Sequence, residues 1–227
     1  MVRECSYNER PLTARAVIFS NGTYANLMGV KARLRPDDWF VCADGALSQL
    51  AAMQLRPHLL VGDFDSVDLS LLAEAKEQGV ELLTFQREKD FTDTELAWQE
   101  VIRRKWGWRD VLVVGAWGGR LDHSLANLLL FAPFAKQGYR ISLTDGVTDA
   151  YLVTDELVLE RCQNKLVSII ALSPSAQGVT AQGFHWPLEA ATLRWGEALG
   201  ISNIPVDDVA RVRVKEGILL VIVTPED

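Results

Sequence analysis

Hydrophobic and polar positions follow two rhythms along this chain. From Ala14 to about position 145, short apolar runs alternate with longer stretches whose apolar residues recur at helical spacing. The runs at Ala14 to Phe19, Trp39 to Ala43, His58 to Val61, Val80 to Phe85 and Val111 to Gly115 read as strands. Ala46 to Leu55, Leu69 to Gln78, Thr92 to Trp106 and Leu121 to Lys136 read as helices. Strands that are apolar throughout are buried on both faces. The pattern therefore predicts a parallel sheet with helices on either side, a three-layer α/β domain over residues 1–145.

Beyond a boundary near Thr144 to Ala150 the helical spacing stops. Tyr151 to Val153, Glu156 to Leu159, Lys165 to Leu172 and Ala190 to Arg194 are strand-like. Val209 to Lys215 mostly alternates apolar with basic residues. A turn at Glu216-Gly217 then leads into Ile218 to Val223, which reads as a hairpin. Residues 146–227 are thus expected to form an antiparallel β-sandwich. So small a sandwich buries little alone and is expected to lean on the first domain or on a second subunit.

Composition narrows the function classes. Hydrophobic residues make up 48% of the 227, enough for a packed core, and 23 basic against 30 acidic residues leave a net charge of −7. That balance excludes a general nucleic-acid binder, which needs a basic stripe to meet polymer phosphates. The longest apolar runs fall short of the ~18 residues a membrane-spanning helix needs. The polar first dozen residues lack the apolar core of a signal peptide. Cys5, Cys42 and Cys162 fit neither a disulfide framework nor a zinc spacing, which points to a reducing compartment. The expectation is a soluble, cytoplasmic protein with no membrane or nucleic-acid partner.

The chemistry lies in where the aspartates fall. Asp44 follows one strand directly, and Asp63 and Asp65 follow the next in Gly62-Asp63-Phe64-Asp65-Ser66. Asp122 follows the fifth strand after the bend Gly115-Ala116-Trp117-Gly118-Gly119-Arg120-Leu121, while Asp90 and Asp93 flank the start of the helix at Thr92. Parallel strands present their carboxyl ends on one side, so these segments converge on the crevice where open α/β sheets bind ligands. Carboxylates gathered there repel one another unless a cation sits among them. A set of oxygen donors without clustered histidine or cysteine suits a hard cation, magnesium before zinc, and magnesium shares its shell with substrate phosphates. Gly118-Gly119-Arg120 offers backbone amides and a guanidinium for phosphate oxygens, and Lys89 adds a second cation.

Taken singly, each feature has a plainer reading. Asp44-Gly45 is also an ordinary turn, and Asp63 or Asp65 alone could cap a helix. Asp90 and Asp93 are at home near a first helical turn, where Thr92 can satisfy free amides. His123, with no second histidine near, reads as an orienting or capping residue. There is no Gly-x-x-x-x-Gly-Lys loop, no Gly-x-Gly-x-x-Gly fingerprint and no Gly-x-Ser-x-Gly elbow, which excludes an ordinary P-loop enzyme and a serine hydrolase.

Together, Ala43-Asp44-Gly45-Ala46, Gly62-Asp63-Phe64-Asp65-Ser66, Lys89-Asp90-Phe91-Thr92-Asp93 and Gly118-Gly119-Arg120-Leu121-Asp122-His123, with Asn127 four positions on, resemble the thiamine pyrophosphokinase family. Gly183-Phe184-His185-Trp186-Pro187-Leu188 and Gly200-Ile201-Ser202-Asn203 resemble its C-terminal signatures. The resemblance implies an α/β domain followed by a β-sandwich, a homodimer with sites near the subunit interface, and conversion of ATP and thiamine to thiamine diphosphate and AMP. It also implies that Asp63, Asp65, Asp90 and Asp93 hold Mg2+ and the nucleotide phosphates. Asp44, Lys89, Thr92, Gly118, Gly119, Arg120, Asp122 and Asn127 would line the same crevice, and Trp186, Ser202 and Asn203 would face thiamine. Asp63, Asp65, Asp93, Arg120 and Asp122 are the expected catalytic groups, with Asp65 or Asp93 accepting the thiamine hydroxyl proton.

The thiazolium is a cation that an acidic crevice attracts and an indole face stabilises. Trp186 also reads as a sandwich core residue, and Ser202-Asn203 as a turn. Competing functions are a pyrophosphokinase for another heteroaromatic alcohol such as a hydroxymethylpterin, a non-catalytic thiamine sensor, and an Asp-x-Asp phosphohydrolase.

Overall fold

A computed structural model describes residues 6–7, 15–65, 67–86, 91–104 and 108–226. In chain order the elements begin with β1 (Ser6–Tyr7), β2 (Ala16–Phe19), α1 (Leu27–Ala32), β3 (Trp39–Ala43), α2 (Leu47–Ala52), β4 (Leu59–Gly62), α3 (Leu69–Glu77), β5 (Glu81–Thr84), α4 (Asp93–Arg103) and β6 (Asp110–Val114). They continue with α5 (Leu121–Ala135), β7 (Arg140–Thr144), β8 (Asp149–Val153), β9 (Glu156–Glu160), β10 (Lys165–Ala171), β11 (Ser175–Gln182), β12 (Leu188–Arg194), β13 (Val209–Arg213) and β14 (Leu219–Pro225). The chain divides into two compact units. One comprises Thr13–Phe131 with Leu143–Val147, and the other Met1–Leu12, Ala132–Ser142 and Thr148–Asp227.

In the first unit β6, β2, β3, β4 and β5 pair in that order, all parallel. β2 and β4 are buried at every position, as their unbroken apolar sequence requires. Val17, Phe19, Cys42, Leu60, Leu112 and Val114 form one core face with Val30 of α1, Leu47 and Leu50 of α2, and Leu72 and Ala75 of α3. α4 lies against β2, β3 and β4. Its Trp98 meets Phe131 of α5 edge-on at 5.3 Å. The expected three-layer arrangement is therefore present. β2, β3, β4 and β5 step one way across the sheet, whereas β6 returns to the other side of β2. That reversal puts the topological switch point at the carboxyl ends of β2 and β6.

The second unit is the expected antiparallel sandwich. One sheet has the order β1-β9-β13-β11-β12; the other pairs β10, β14 and β8. Leu157, Leu159, Val179, Ala181 and Val212 from the first sheet share a core with Val167, Ile169, Leu219 and Val221 from the second. The expected hairpin at Glu216-Gly217 is absent, because β13 pairs with β9 and β11 while β14 pairs with β8 and β10. The link between them crosses from sheet to sheet. Lys215 N–H bonds to Gln177 O at 3.0 Å, Gln177 N–H to Glu216 O at 2.8 Å, and Ile218 N–H to Ser173 Oγ at 2.9 Å. Gly217 turns the corner at φ 105°, and a Cβ there would lie 2.6 Å from Ser175 O. Cys42 is a buried free thiol, but Cys162 is disulfide-bonded. This corrects the expectation of unpaired cysteines, so cysteine usage does not mark a reducing compartment.

Candidate active site

The carboxyl ends of the parallel strands carry the acids. Asp44 opens a single 3-10 turn directly after β3 and is buried. Its carboxylate accepts the Gly45 N–H at 2.5 Å and the Phe64 N–H at 3.2 Å, tying the end of β3 to the end of β4. Gly62 permits that approach, since a Cβ there would stand 2.6 Å from the Asp44 carboxyl. Between the two acids that follow, Phe64 adopts φ 61°, a left-handed backbone uncommon for a bulky residue and typical of functional turns. Asp63 accepts the Asp65 N–H at 3.2 Å; Asp63 is half-buried and Asp65 exposed.

Asp93 begins α4, and Thr92 caps that helix by accepting the Glu95 N–H at 3.2 Å. The expected capping role of Thr92 is thus present. The electrostatics record that the acids lie near one another. Burial pushes the Asp44 carboxyl up from its ordinary value, and the negative charges of Asp93 and Asp63 push it further, against two backbone hydrogen bonds that lower it. Asp63 and Asp93, two expected site residues, therefore each lie within electrostatic reach of a third, Asp44. Among the described residues, however, no three His, Cys, Asp or Glu side chains form a group that could hold a metal ion. Lys89 and Asp90 fall outside the described residues.

A second loop pair meets at the switch point. Thr23 N–H donates to Trp117 O at 2.7 Å, and Ser20 N–H to Val114 O at 2.8 Å. A Cβ on Gly22 would collide with the carbonyls of Gly115 and Trp117, and one on Gly118 would lie 2.6 Å from Thr23 Oγ1. The Ser20-Asn21-Gly22-Thr23 turn is therefore pressed against the glycine bend. Thr94 Oγ1, just inside α4, bonds Ser20 Oγ at 3.1 Å, linking this loop to the acidic helix start. Asn21 lies against Gly45, beside Asp44. In the sequence, Ser20-Asn21-Gly22 carries no signature beyond that of a turn. The available signal was its place at a strand's carboxyl end, which it shares with Asp44-Gly45.

On the bend itself, Gly118, Gly119, Arg120 and Asp122 are exposed. Arg120 and Asp122 pair at 2.5 Å, and hydrogen bonding to Arg120 draws the Asp122 carboxyl down to about 2. Asn127 is buried and donates to Ala116 O at 2.7 Å, so its side chain pins the bend to α5.

In the second unit, Asn203 is 2% exposed. Its Oδ1 accepts the N–H groups of Trp186 at 3.1 Å and Ile204 at 2.9 Å, while its Nδ2 donates to Trp186 O at 2.6 Å. Its main chain bridges Val167 in both directions. Asn203 thus clamps the backbone of Trp186, whose indole is 55% exposed and meets His185 edge-on at 4.5 Å. Trp186 is a surface side chain and not part of the sandwich core. Ser202, which precedes Asn203, has φ 54° and its N–H bonds to Ser168 Oγ at 3.1 Å.

Comparison with known proteins agrees with this architecture. Residues 30–143 match the family described as thiamin pyrophosphokinase, catalytic domain, and residues 155–219 match thiamin pyrophosphokinase, vitamin B1 binding domain. A thiamine pyrophosphokinase of Bacillus subtilis (strain 168) is 30% identical over 187 residues, covering 81% of this chain and 86% of that relative. Thiamine pyrophosphokinase 1 of Oryza sativa subsp. japonica is 24% identical over 213 residues, covering 83% and 78%. The crystal structure of a thiamine pyrophosphokinase from Bacillus subtilis superposes with a TM-score of 0.82 at 24% identity, over 94% of this chain and 100% of the other. That of thiamin pyrophosphokinase from Candida albicans superposes at 0.72 with 14% identity, over 93% and 89%. At these identities the structural likenesses speak to the fold alone.

Proposed function

The chain belongs to the thiamin pyrophosphokinase family, and on that premise we propose that it transfers the pyrophosphoryl group of ATP to the hydroxyl of thiamine, giving thiamine diphosphate and AMP. The observation that carries the reading is that Asp44, buried at the carboxyl end of a parallel strand, accepts the Phe64 N–H of the turn between Asp63 and Asp65 at 3.2 Å and lies within the field of Asp93 and Asp63. Oxygen donors without histidine or cysteine suit a hard divalent cation. Asp63, Asp65, Asp90 and Asp93 would hold Mg2+. When bound, the ion neutralises phosphate charge and makes AMP a better leaving group.

The chain's own residues supply the rest. Gly118, Gly119 and Arg120 bind the phosphate oxygens, with Asp44, Lys89, Thr92 and Asn127 completing the nucleotide crevice. Arg120 exchanges its pairing with Asp122 for phosphate, leaving Asp122 beside the reacting groups. Catalysis is then chiefly positioning and charge stabilisation for in-line attack on the β-phosphorus. One carboxylate, Asp65 or Asp93, accepts the proton of the thiamine hydroxyl. Thiamine is received by the sandwich domain, residues 146–227, where the Trp186 indole meets the thiazolium. Ser202 contributes beside it, and Asn203 aims the indole. The same reading has the enzyme act as a cytoplasmic homodimer with sites near the subunit interface.

The test is AMP and thiamine diphosphate formation by the purified chain with ATP, Mg2+ and a panel of alcohols. Thiamine is expected to be the acceptor, and AMP release on a hydroxymethylpterin alone would overturn the reading. Asp63→Asn is expected to abolish turnover with an unchanged thermal midpoint. Normal Mg2+-dependent activity in that variant would refute the metal assignment.

A further inference from the structure

Trp117 lies in the middle of the glycine bend, yet nothing in the proposed chemistry uses its side chain. Its indole Nε1–H donates to Asp145 Oδ2 at 2.9 Å, across 28 positions of sequence. Asp145 follows β7 and is 8% exposed. Its other carboxylate oxygen accepts the Val147 N–H at 2.9 Å, and its carbonyl accepts the Asn26 N–H at 3.2 Å. Asn26 in turn caps α1 through Gly29 N–H at 3.0 Å. Gly29 and Gly146 bring the backbones of α1 and this segment so close that a Cβ on either would collide with the other strand of the contact. Asp145 is therefore held from two sides before it meets the indole.

The bend has its own anchors at both ends. Gly115 N–H bonds Thr144 O at 2.9 Å, one residue before Asp145. At the far end Ser124 Oγ accepts the Gly118 N–H at 3.1 Å and donates to Arg120 O at 2.9 Å. Between these points the main chain of Trp117 is tied to Thr23 and its side chain to Asp145. The exposed stretch Gly118-Gly119-Arg120 hangs from that double attachment. Two glycines in succession would otherwise give this stretch wide conformational freedom.

We propose that Trp117 and Asp145 form a positioning pair that fixes the glycine bend for the donor nucleotide's phosphates. The inference rests on the assignment of Gly118, Gly119 and Arg120 to those phosphates. Neither residue of the pair touches the reacting atoms. They act by holding the bend in its binding geometry, so ATP does not have to order it.

Trp117→Phe keeps the ring and removes the donor. Asp145→Asn keeps the shape but puts an NH2 donor where one of the two accepting oxygens stands, so either the indole or the Val147 N–H loses its partner. Hydrogen exchange over residues 115–120 in the ligand-free chain is expected to quicken in both variants. KM for ATP is expected to rise roughly tenfold, equivalent to about 1.4 kcal/mol, with KM for thiamine unchanged. The double variant should be no worse than Trp117→Phe alone, as members of one pair require. Unchanged exchange, or quickened exchange with an unchanged KM for ATP, would overturn the proposal. So would equal rises in both KM values, which mark general loosening. Absence of turnover in the unaltered chain would instead count against the pyrophosphokinase assignment, with exchange still deciding whether the tether holds the bend.

Discussion

Asn203→Ala separates the clamp on Trp186 from the indole itself. The substitution removes three hydrogen bonds, to Trp186 N, Trp186 O and Ile204 N, while the main-chain bridge from residue 203 to Val167 stays. At about 1 kcal/mol net per bond the loss is about 3 kcal/mol, trimmed to roughly 2–3 because the freed groups of Trp186 are only partly buried and can find water. At about 2–4 °C per kcal/mol for a chain of this size, the thermal midpoint should fall by roughly 4–12 °C. An indole over a desolvated cation contributes about 2 kcal/mol, so complete loss of its aim would raise KM for thiamine by about 30-fold.

Trp186→Leu provides the control. Its indole is exposed, so that variant should show the same rise in KM for thiamine with little thermal shift. Steady-state kinetics with each substrate varied in turn, alongside thermal melts, reads both effects. If Asn203→Ala melts like the parent and keeps its KM for thiamine, the clamp is not what aims Trp186. If KM for ATP rises equally, the damage is not confined to the thiamine side.

Three further outcomes follow from the same geometry. Asp38 is fully buried and pairs with Arg15 at 2.7 and 3.0 Å while also accepting the Arg35 N–H at 2.7 Å. Asp38→Ala leaves a buried guanidinium without its charge partner and should cost about 3–5 kcal/mol by denaturant melts, whereas replacing both Arg15 and Asp38 with apolar residues should recover most of it. His58 Nδ1 accepts the Phe40 N–H at 3.0 Å, and burial, aided by Arg56, lowers its pKa below the ordinary 6.5. The folded state thus binds fewer protons than the unfolded one, so stability should fall as pH drops through 6.5 and level off below the folded value, a slope that His58→Asn should erase. Gly62→Ala would drive a methyl against the Asp44 carboxyl and should depress activity together with about 1–3 kcal/mol of stability, read by kinetics and melts.

The sequence made the first unit legible because burial there follows composition. β2, β3, β4 and β6 are apolar runs, and they occupy the positions their pattern predicts to within a residue or two. Elements whose burial is weak or irregular were not visible. α1 has six residues, only Val30 buried, and a glycine inside; it is fixed by the Asn26 cap and not by a periodic face. β11 is built of Ser, Ala, Gln, Gly, Val and Thr, with register shifts on either side of Val179, so no alternation marks it. The supposed hairpin failed for a related reason. Turn residues at Glu216-Gly217 report a change of direction but not which strands pair afterwards.

For the candidate site, sequence supplied the acids but not the means of bringing them together. Asp44, Asp63 and Asp93 stand out because charged residues at strand ends and helix starts break the apolar pattern. Asn21, Thr23, Trp117 and Asp145 do not stand out, since each could belong to any turn. What joins these groups is backbone proximity at Gly22, Gly45, Gly62 and Gly118, where a side chain would displace its neighbour. Such contacts span from 18 positions, between Gly62 and Asp44, to 95, between Gly118 and Thr23, and leave no periodic trace. The charges of Asp93 and Asp63 at Asp44 oppose that assembly, and the close packing around these glycines holds it in place. On the proposed chemistry a metal-bound nucleotide would be favoured over a bare one, because only the former brings positive charge to Asp44, where burial and the charges of Asp93 and Asp63 disfavour the ionised carboxyl.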